Sequence, residues 1–214
     1  MRRIKTVRDL KGEAYKIIKE AIITQQLPPG SQLKESDLVE RLGVSRTPIR
    51  EALNQLFKEG IIDIYPRQGA FVRKWTAEDV LEVLMLREVV EGLSARLAVN
   101  HLQEESIKVL EGYFKQYESG IIGYAEADQR FHSDIILASG SSRVIALTNG
   151  LRDTLQMMNM RAVTFRYPER IKDSLVEHGK IIEAFRSRDG MLAEQLIREH
   201  FRQTRLYYES HIQR

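Results

Sequence analysis

Four side chains in the second half of the sequence carry the donor atoms of a metal site: Asp128, His132, His178 and His200. Asp128 and His132 are four residues apart, so on a helix they project from one face. That face also carries Ile135. His178 shares a helix face with Ile171, Leu175, Ile182 and Phe185, and His200 shares one with Ala193 and Leu196. Three inward imidazoles and one carboxylate, on three helices of a bundle, can hold a divalent ion. Each histidine alone could equally be a hydrogen-bonded core residue, and the spacing leaves both readings open. The other two histidines, His101 at a helix end and His211 in the C-terminal tail, read as surface residues. Oxygen and nitrogen donors without sulfur suit Zn²⁺, Ni²⁺, Mn²⁺ or Fe²⁺, and the donor set does not rank them. Arg87 lies on a face with Val80, Leu84, Ala95 and Ala98, and Glu91 follows four residues on. A guanidinium facing a pocket can grip a carboxylate in fork geometry. The alternative is an internal Arg87–Glu91 pair with no ligand role.

A second constellation lies near the N-terminus. On a helix over 46–59, Ile49, Ala52, Leu53 and Leu56 face inward, while Arg46, Thr47, Arg50 and Asn54 lie on the opposite side. Arginine can pair bidentately with guanine and asparagine with adenine, and threonine can meet a phosphate or a thymine methyl. Such a face suits a helix that enters a DNA groove. Arg67-Gln68-Gly69 forms a second candidate, because glycine lets backbone approach a groove and arginine suits the negative minor groove. The simpler reading there is a hairpin turn that needs glycine.

These side chains require two kinds of scaffold. Val7 to about Thr24 reads as an amphipathic helix with Val7, Leu10, Ala14, Ile17, Ile18 and Ala21 on one face, and LPPG at 27–30 stops it. A short helix over 35–42 ends at Gly43, and Ser45 is placed to cap the helix that follows. Pro48 is tolerated in the first turn. IIDIY (61–65), PRQG (66–69) and AFVRK (70–74) read as strand, turn and strand. Helix, short helix, helix and hairpin is the order of a winged helix-turn-helix. From Thr76, with Asp79 three residues on as in a capping box, every segment has helical period. Helices are expected near 76–100, 103–118, 122–138, 141–164, 168–187 and 189–212. The fold expected is mainly α: a winged helix-turn-helix domain over 1–74, then an antiparallel all-helical bundle of about six helices over 75–214.

Composition narrows the function further. The 214 residues include no cysteine, which excludes disulfides and thiolate metal sites and fits a cytoplasmic protein. The charged N-terminus lacks the apolar core of a signal peptide, and no apolar run reaches the length of a membrane span. Net charge is +3, unevenly placed: residues 1–74 hold 15 Lys+Arg against 9 Asp+Glu, and the remainder is acidic. A basic N-terminal third suits a polyanionic partner.

The run GSQLKESDLVERLGVSRTPIREALNQLFKEGIIDIYPRQGAFV (30–72) closely resembles the DNA-binding signature of the GntR family of bacterial regulators, most specifically in LGVSRTPIREAL. The resemblance implies base and phosphate contacts for Arg46, Thr47 and Arg50 and a minor-groove contact at Gly69. Members often carry an arginine at the start of the second helix. Here that residue is Ser36, flanked by Lys34, so a contact there is lost, weakened or supplied by Lys34. The remainder resembles the FCD ligand-binding domain of the FadR-type branch, through LREVVEGLSARLAV (86–99), DQRFHSDIILASGS (128–141), EHGKIIEAFRSRD (177–189) and Ala193-x6-His200. That resemblance implies a divalent metal on Asp128, His132, His178 and His200 at the floor of an effector pocket, and a small organic or sugar acid as effector, with Arg87 as its second anchor. A symmetric homodimer on a pseudo-palindromic operator is then expected, working as a ligand-responsive repressor. Two other functions compete. A metal-dependent enzyme with a DNA-binding appendage would use the Asp/His cluster, but no motif such as H-E-x-x-H supplies its base. The helical domain could also serve dimerisation alone.

Overall fold

The computed structural model describes residues 9–115, 120–158 and 168–212. The chain divides into two compact units between Trp75 and Thr76.

The first unit holds three helices and a small sheet: α1 (Leu10–Ile23), β1 (Gln32–Leu33), α2 (Glu35–Leu42), α3 (Arg46–Lys58), β2 (Ile62–Tyr65) and β3 (Gly69–Val72). Val7 lies outside the described residues. The Asp9 carboxylate accepts from the Gly12 N–H and starts α1. The buried stripe of α1 is Ala14, Ile18 and Ile22, whereas Ile17 is 50% exposed and Leu10 is exposed. The core face is therefore rotated from the one the sequence suggests. Ile22 closes the i, i+4, i+8 row that Ile17 leaves. Gly43 ends α2 at φ +64°, a conformation that costs a β-carbon-bearing residue steric strain. Ser45 occupies the N-cap position of α3, yet its side chain makes no capping bond, contrary to expectation. Ile49, Ala52, Leu53 and Leu56 form the buried face of α3 as expected.

The sheet has three strands in the order β1-β3-β2, all antiparallel. β1 was not expected from the sequence. It is two residues long, too short to show alternation, and it pairs Gln32 with Phe71 and Leu33 with Ala70. On the other edge Ile62 pairs with Val72 and Tyr65 with Gly69. Gln32 also donates its side-chain N–H to the Gln68 carbonyl at 2.8 Å, which ties the hairpin tip to β1.

The second unit is all-helical among its described residues: α4 (Ala77–Ala98), α5 (Glu104–Lys115), α6 (Gly120–Ala138), α7 (Ser142–Met157), α8 (Pro168–Arg186) and α9 (Gly190–Ile212). Thr76 Oγ accepts from the Asp79 N–H while the Asp79 carboxylate accepts from the Thr76 N–H, a complete capping box. Ala95 and Ala98 of α4, Leu110 of α5, Phe131 and Ile135 of α6, Phe185 of α8 and Phe201 of α9 share one buried cluster. Small residues set the α4–α9 spacing: a β-carbon on Gly92 would lie 2.8 Å from the Arg198 side chain. No described helix is long and apolar enough to cross a membrane.

The capping box satisfies two backbone donors at the start of the longest helix in contact with α9. Thr76→Ala is expected to lower the stability of the helical unit by about 1 kcal/mol, read as a lower urea midpoint by circular dichroism. Thr76→Ser should lose less.

Candidate functional site

The helical unit gathers Asp128 and His132 from α6, His178 from α8 and His200 from α9, with one ligand atom of each within 4.8 Å of all the others. His132, His178 and His200 are buried, and Asp128 is half-buried. Nε2 of His178 lies 3.5 Å and Nε2 of His132 lies 3.8 Å from Asp128 Oδ1. Two carboxylates stand behind the imidazoles. Glu177 Oε2 accepts from Nδ1–H of His200 at 2.7 Å, which leaves Nε2 with its lone pair toward the cluster. Glu91 Oε2 lies 2.9 Å from Nδ1 of His132. His178 instead stacks on Phe114 at 4.5 Å between ring centres. Tyr124 donates its hydroxyl hydrogen to Asp128 Oδ1 at 3.1 Å and lies 2.5 Å from Ser174 Oγ.

Nε2 of His132 and both ring nitrogens of His178 have no hydrogen-bond partner among the described residues. An unsatisfied buried polar group costs about 1–3 kcal/mol. A divalent ion would satisfy such nitrogens, so the donor set fits a metal: three imidazoles, one carboxylate, and carboxylates behind two of the imidazoles to orient them. Burial pushes the His178 imidazolium well below the ordinary histidine range, and the neighbouring His200, His132 and Arg170 push the same way. Burial also lowers His200, against the opposing pull of Glu177. Neutral imidazoles are the form that binds metal.

Beside this floor opens a cavity of about 190 Å³, lined among others by Arg87, Gln129, Arg152, Arg170, Phe201 and Thr204. Arg87 lies over the Phe201 ring at 4.5 Å, and its Nε donates to Glu91 Oε1 at 2.5 Å. The internal Arg87–Glu91 pair is therefore real, and Arg87 lines the cavity as well. Burial would raise the Glu91 carboxyl, but Arg87 and His132 outweigh it and hold the group down at about 2. Arg170 forms a two-pronged pair with Glu177 at 3.0 and 2.7 Å. Glu177, Arg170, Arg152 and Tyr124 were not singled out from sequence. On a helix, a charged residue facing a cavity has the same periodicity as one facing water. The one available signal was the seven-residue spacing of Arg170 and Glu177, two turns along one face. His101 is exposed and lies 2.9 Å from the Ala138 carbonyl oxygen. His211 is half-buried and stacks on Tyr207 at 4.3 Å.

In the first unit Arg46, Thr47, Arg50 and Asn54 are all exposed on α3, as are Lys34, Ser36, Arg67 and Gly69. Lys34, Ser36, Arg46, Arg50, Asn54 and Gly69 line one groove of about 590 Å³ between the start of α2, α3 and the hairpin. Arg50 is not alone there. Its Nε donates to both oxygens of Glu35, at 2.9 and 2.8 Å, which leaves the two terminal nitrogens to face outward contacts. Ser36 Oγ donates to the Asp37 carboxylate. At the hairpin tip the Gln68 N–H bonds the Tyr65 carbonyl, with Pro66 second in the turn and Arg67 third at φ +63°. That third position normally belongs to glycine, so Arg67 holds a conformation that costs a β-carbon-bearing residue strain.

Comparison with known proteins decides the family. Residues 82–203 match the FCD domain, and residues 10–72 match the bacterial regulatory proteins of the gntR family. The chain belongs to the GntR family. It is a transcription regulator of the branch with an FCD domain. Among relatives, it is 28% identical over 193 residues to the HTH-type transcriptional regulator YdhC of Bacillus subtilis (strain 168), covering 87% of this chain and 85% of that one. It is 27% identical over 180 residues to a probable D-xylose utilization operon transcriptional repressor of Paenarthrobacter nicotinovorans, covering 82% and 78%. Its fold matches the solved structure of E. coli McbR/YncC with a TM-score of 0.69, at 19% identity over 96% of this chain and 99% of that one. The family and these relatives are regulators, which favours regulation over the enzyme reading of the Asp/His cluster.

The buried ion pair of this GntR regulator makes two outcomes testable. Glu91→Ala strands the half-buried Arg87 charge and is expected to destabilise the helical unit by about 3–5 kcal/mol, measured by urea denaturation. Separately, His178 and His200 take up protons less readily folded than unfolded, because their folded values lie below 6.5. The unfolded chain then binds more protons below pH 6.5, so metal-free protein should lose stability as pH falls through that range, seen as a falling melting temperature.

Proposed function

We propose that this regulator is a homodimeric repressor. In this reading its operator affinity is set by a small organic or sugar acid bound over a divalent metal in the helical unit. The observation that carries the reading is the juxtaposition of an Asp/His₃ floor holding orphaned ring nitrogens with a cavity lined by arginines. Asp128, His132, His178 and His200 would hold the metal. Held there, the ion would supply a Lewis-acidic anchor for a carboxylate. Glu91 and Glu177 keep His132 and His200 oriented, and Arg87 stands at the cavity wall as a second anchor for the acid.

In the DNA-binding unit, Arg46, Thr47, Arg50 and Asn54 read the major groove. Lys34 and Ser36 meet the backbone, and Arg67 with Gly69 enters the adjacent minor groove. Placement of Lys34, Ser36, Arg46, Arg50, Asn54 and Gly69 around one groove supports this division of labour. Repression is favoured by the printed role of the Paenarthrobacter relative. A single winged helix-turn-helix gives modest affinity, so two copies on a pseudo-palindrome are needed.

A thermal-shift screen of Zn²⁺, Ni²⁺, Mn²⁺ and Fe²⁺ crossed with small carboxylic acids tests the sensing half. A metal-dependent shift with at least one acid is expected; no shift with any pair would refute it. The double variant His132→Ala/His178→Ala should contain no stoichiometric metal by elemental analysis while keeping its helical spectrum. For the DNA half, Arg50→Ala should weaken binding to an operator obtained by in vitro selection by about 1–3 kcal/mol, measured by fluorescence anisotropy. Unchanged affinity would remove α3 from the recognition role.

A further inference from the structure

Three arginines line the cavity of the helical unit, and they are not equivalent. Arg87 is matched by Glu91 at 2.5 Å, and Arg170 is matched by Glu177 at 3.0 and 2.7 Å. Arg152, from α7, has no ion-pair partner among the described residues. Its hydrogen bond runs from Nη2 to the Gln129 carbonyl at 3.4 Å, the long end of the range. Arg152 is half-buried, and α7 presents Leu155 and Gln156 to the same cavity. Burial and the neighbouring Arg87 work against its charge, while Glu91, Asp128 and Asp153 support it without an ion-pair contact. A half-buried guanidinium with no carboxylate in contact keeps hydrogen-bond donors to offer an anion from outside the chain.

The charge balance of the cavity gives the number of anionic groups. With the imidazoles neutral, the guanidinia of Arg87, Arg152 and Arg170 face the carboxylates of Glu91, Glu177 and Asp128, and the set is neutral. A divalent ion on the floor adds two positive charges in a partly dry site. A monoanion would leave one of them uncompensated. We propose that the effector is a small dianion whose first anionic group meets the floor and Arg87, and whose second is gripped by Arg152. This deepens the proposed function and rests on its metal-and-acid reading. The cavity of about 190 Å³ suits a compact molecule. A short dicarboxylate has this chemistry.

Isothermal titration calorimetry on the metal-loaded full chain separates the cases. The titrants form matched pairs: butyrate against succinate, and lactate against malate. The dianion of at least one pair should bind about ten- to a hundredfold more tightly than its monoanionic partner, the size expected of one charge-assisted contact. Arg152→Gln should erase the preference, bringing dianion affinity down to that of the monoanion and leaving the monoanion unchanged. Arg152→Lys should restore part of it. The dianion-to-monoanion ratio is insensitive to a general loss of folding, which would weaken both partners. Equal binding of monoanions and dianions by the unaltered protein overturns the dianion inference and leaves the acid-sensing reading standing. So does an Arg152→Gln variant that keeps the preference. No binding by either class overturns both.

Discussion

Burying imidazoles without giving them hydrogen-bond partners is the constraint that organises the helical unit. Hydrophobic packing alone would exclude His132 and His178 from the centre of the bundle, yet both lie there among Phe114, Phe131 and Phe201. The cost is offset in part by carboxylates placed one layer behind, Glu91 for His132 and Glu177 for His200. Glu91 is buried and Glu177 half-buried in turn, and Arg87 and Arg170 provide their cations. Each layer is forced by the one inside it, so the polar network extends outward until it reaches the cavity wall. The arginines that line the cavity are the outermost members of that sequence. A half-finished network of this kind would be worse than an apolar core, which explains why the charges occur as matched pairs with Arg152 as the exception.

Helix α4 serves two surfaces with one period. Arg87 and Glu91 face the site, while Gly92, Ala95 and Ala98 allow close approach of neighbouring helices. The same helix begins at a capping box that lies just beyond β3, with residues 73–76 between them. A ligand shifts an equilibrium only by binding two states unequally. An acid held by Arg87 in the proposed way would put part of its binding free energy directly on the helix that the chain enters as it leaves the hairpin.

Much of this was legible in the sequence, for identifiable reasons. Asp128 and His132 share one helix at i, i+4, so their meeting needs no knowledge of tertiary structure. His178 and His200 were legible because each is a polar residue on an otherwise apolar face. The pairing of Arg87 with Glu91 was legible as spacing, though its contact with His132 was not, since that depends on how α4 packs on α6. Arg152 and Arg170 were invisible for the opposite reason to the histidines: their side chains are ordinary on a helix surface, and only packing turns that surface inward. In the N-terminal unit the order of helices, turn and hairpin could be read directly. The strand Gln32–Leu33 could not, because its existence is set by β3 rather than by its own two residues. The rotated face of α1 has a similar origin: both Ile17 and Ile22 fit an amphipathic pattern, and the position of α3 chooses between them.

The Glu35–Arg50 pair changes how salt should act on DNA binding. Affinity for a duplex falls with salt in proportion to the phosphates neutralised, because each neutralisation releases condensed counterions. If α3 reads DNA as proposed, Arg50 would enter the groove already carrying its own anion, so a base contact made by its terminal nitrogens would add shape and hydrogen bonds but little net charge. Lys34, Arg46 and Arg67 would be the groups that draw the ionic atmosphere away. Sequence discrimination through Arg50 would then be uncoupled from ionic strength, while overall affinity would not.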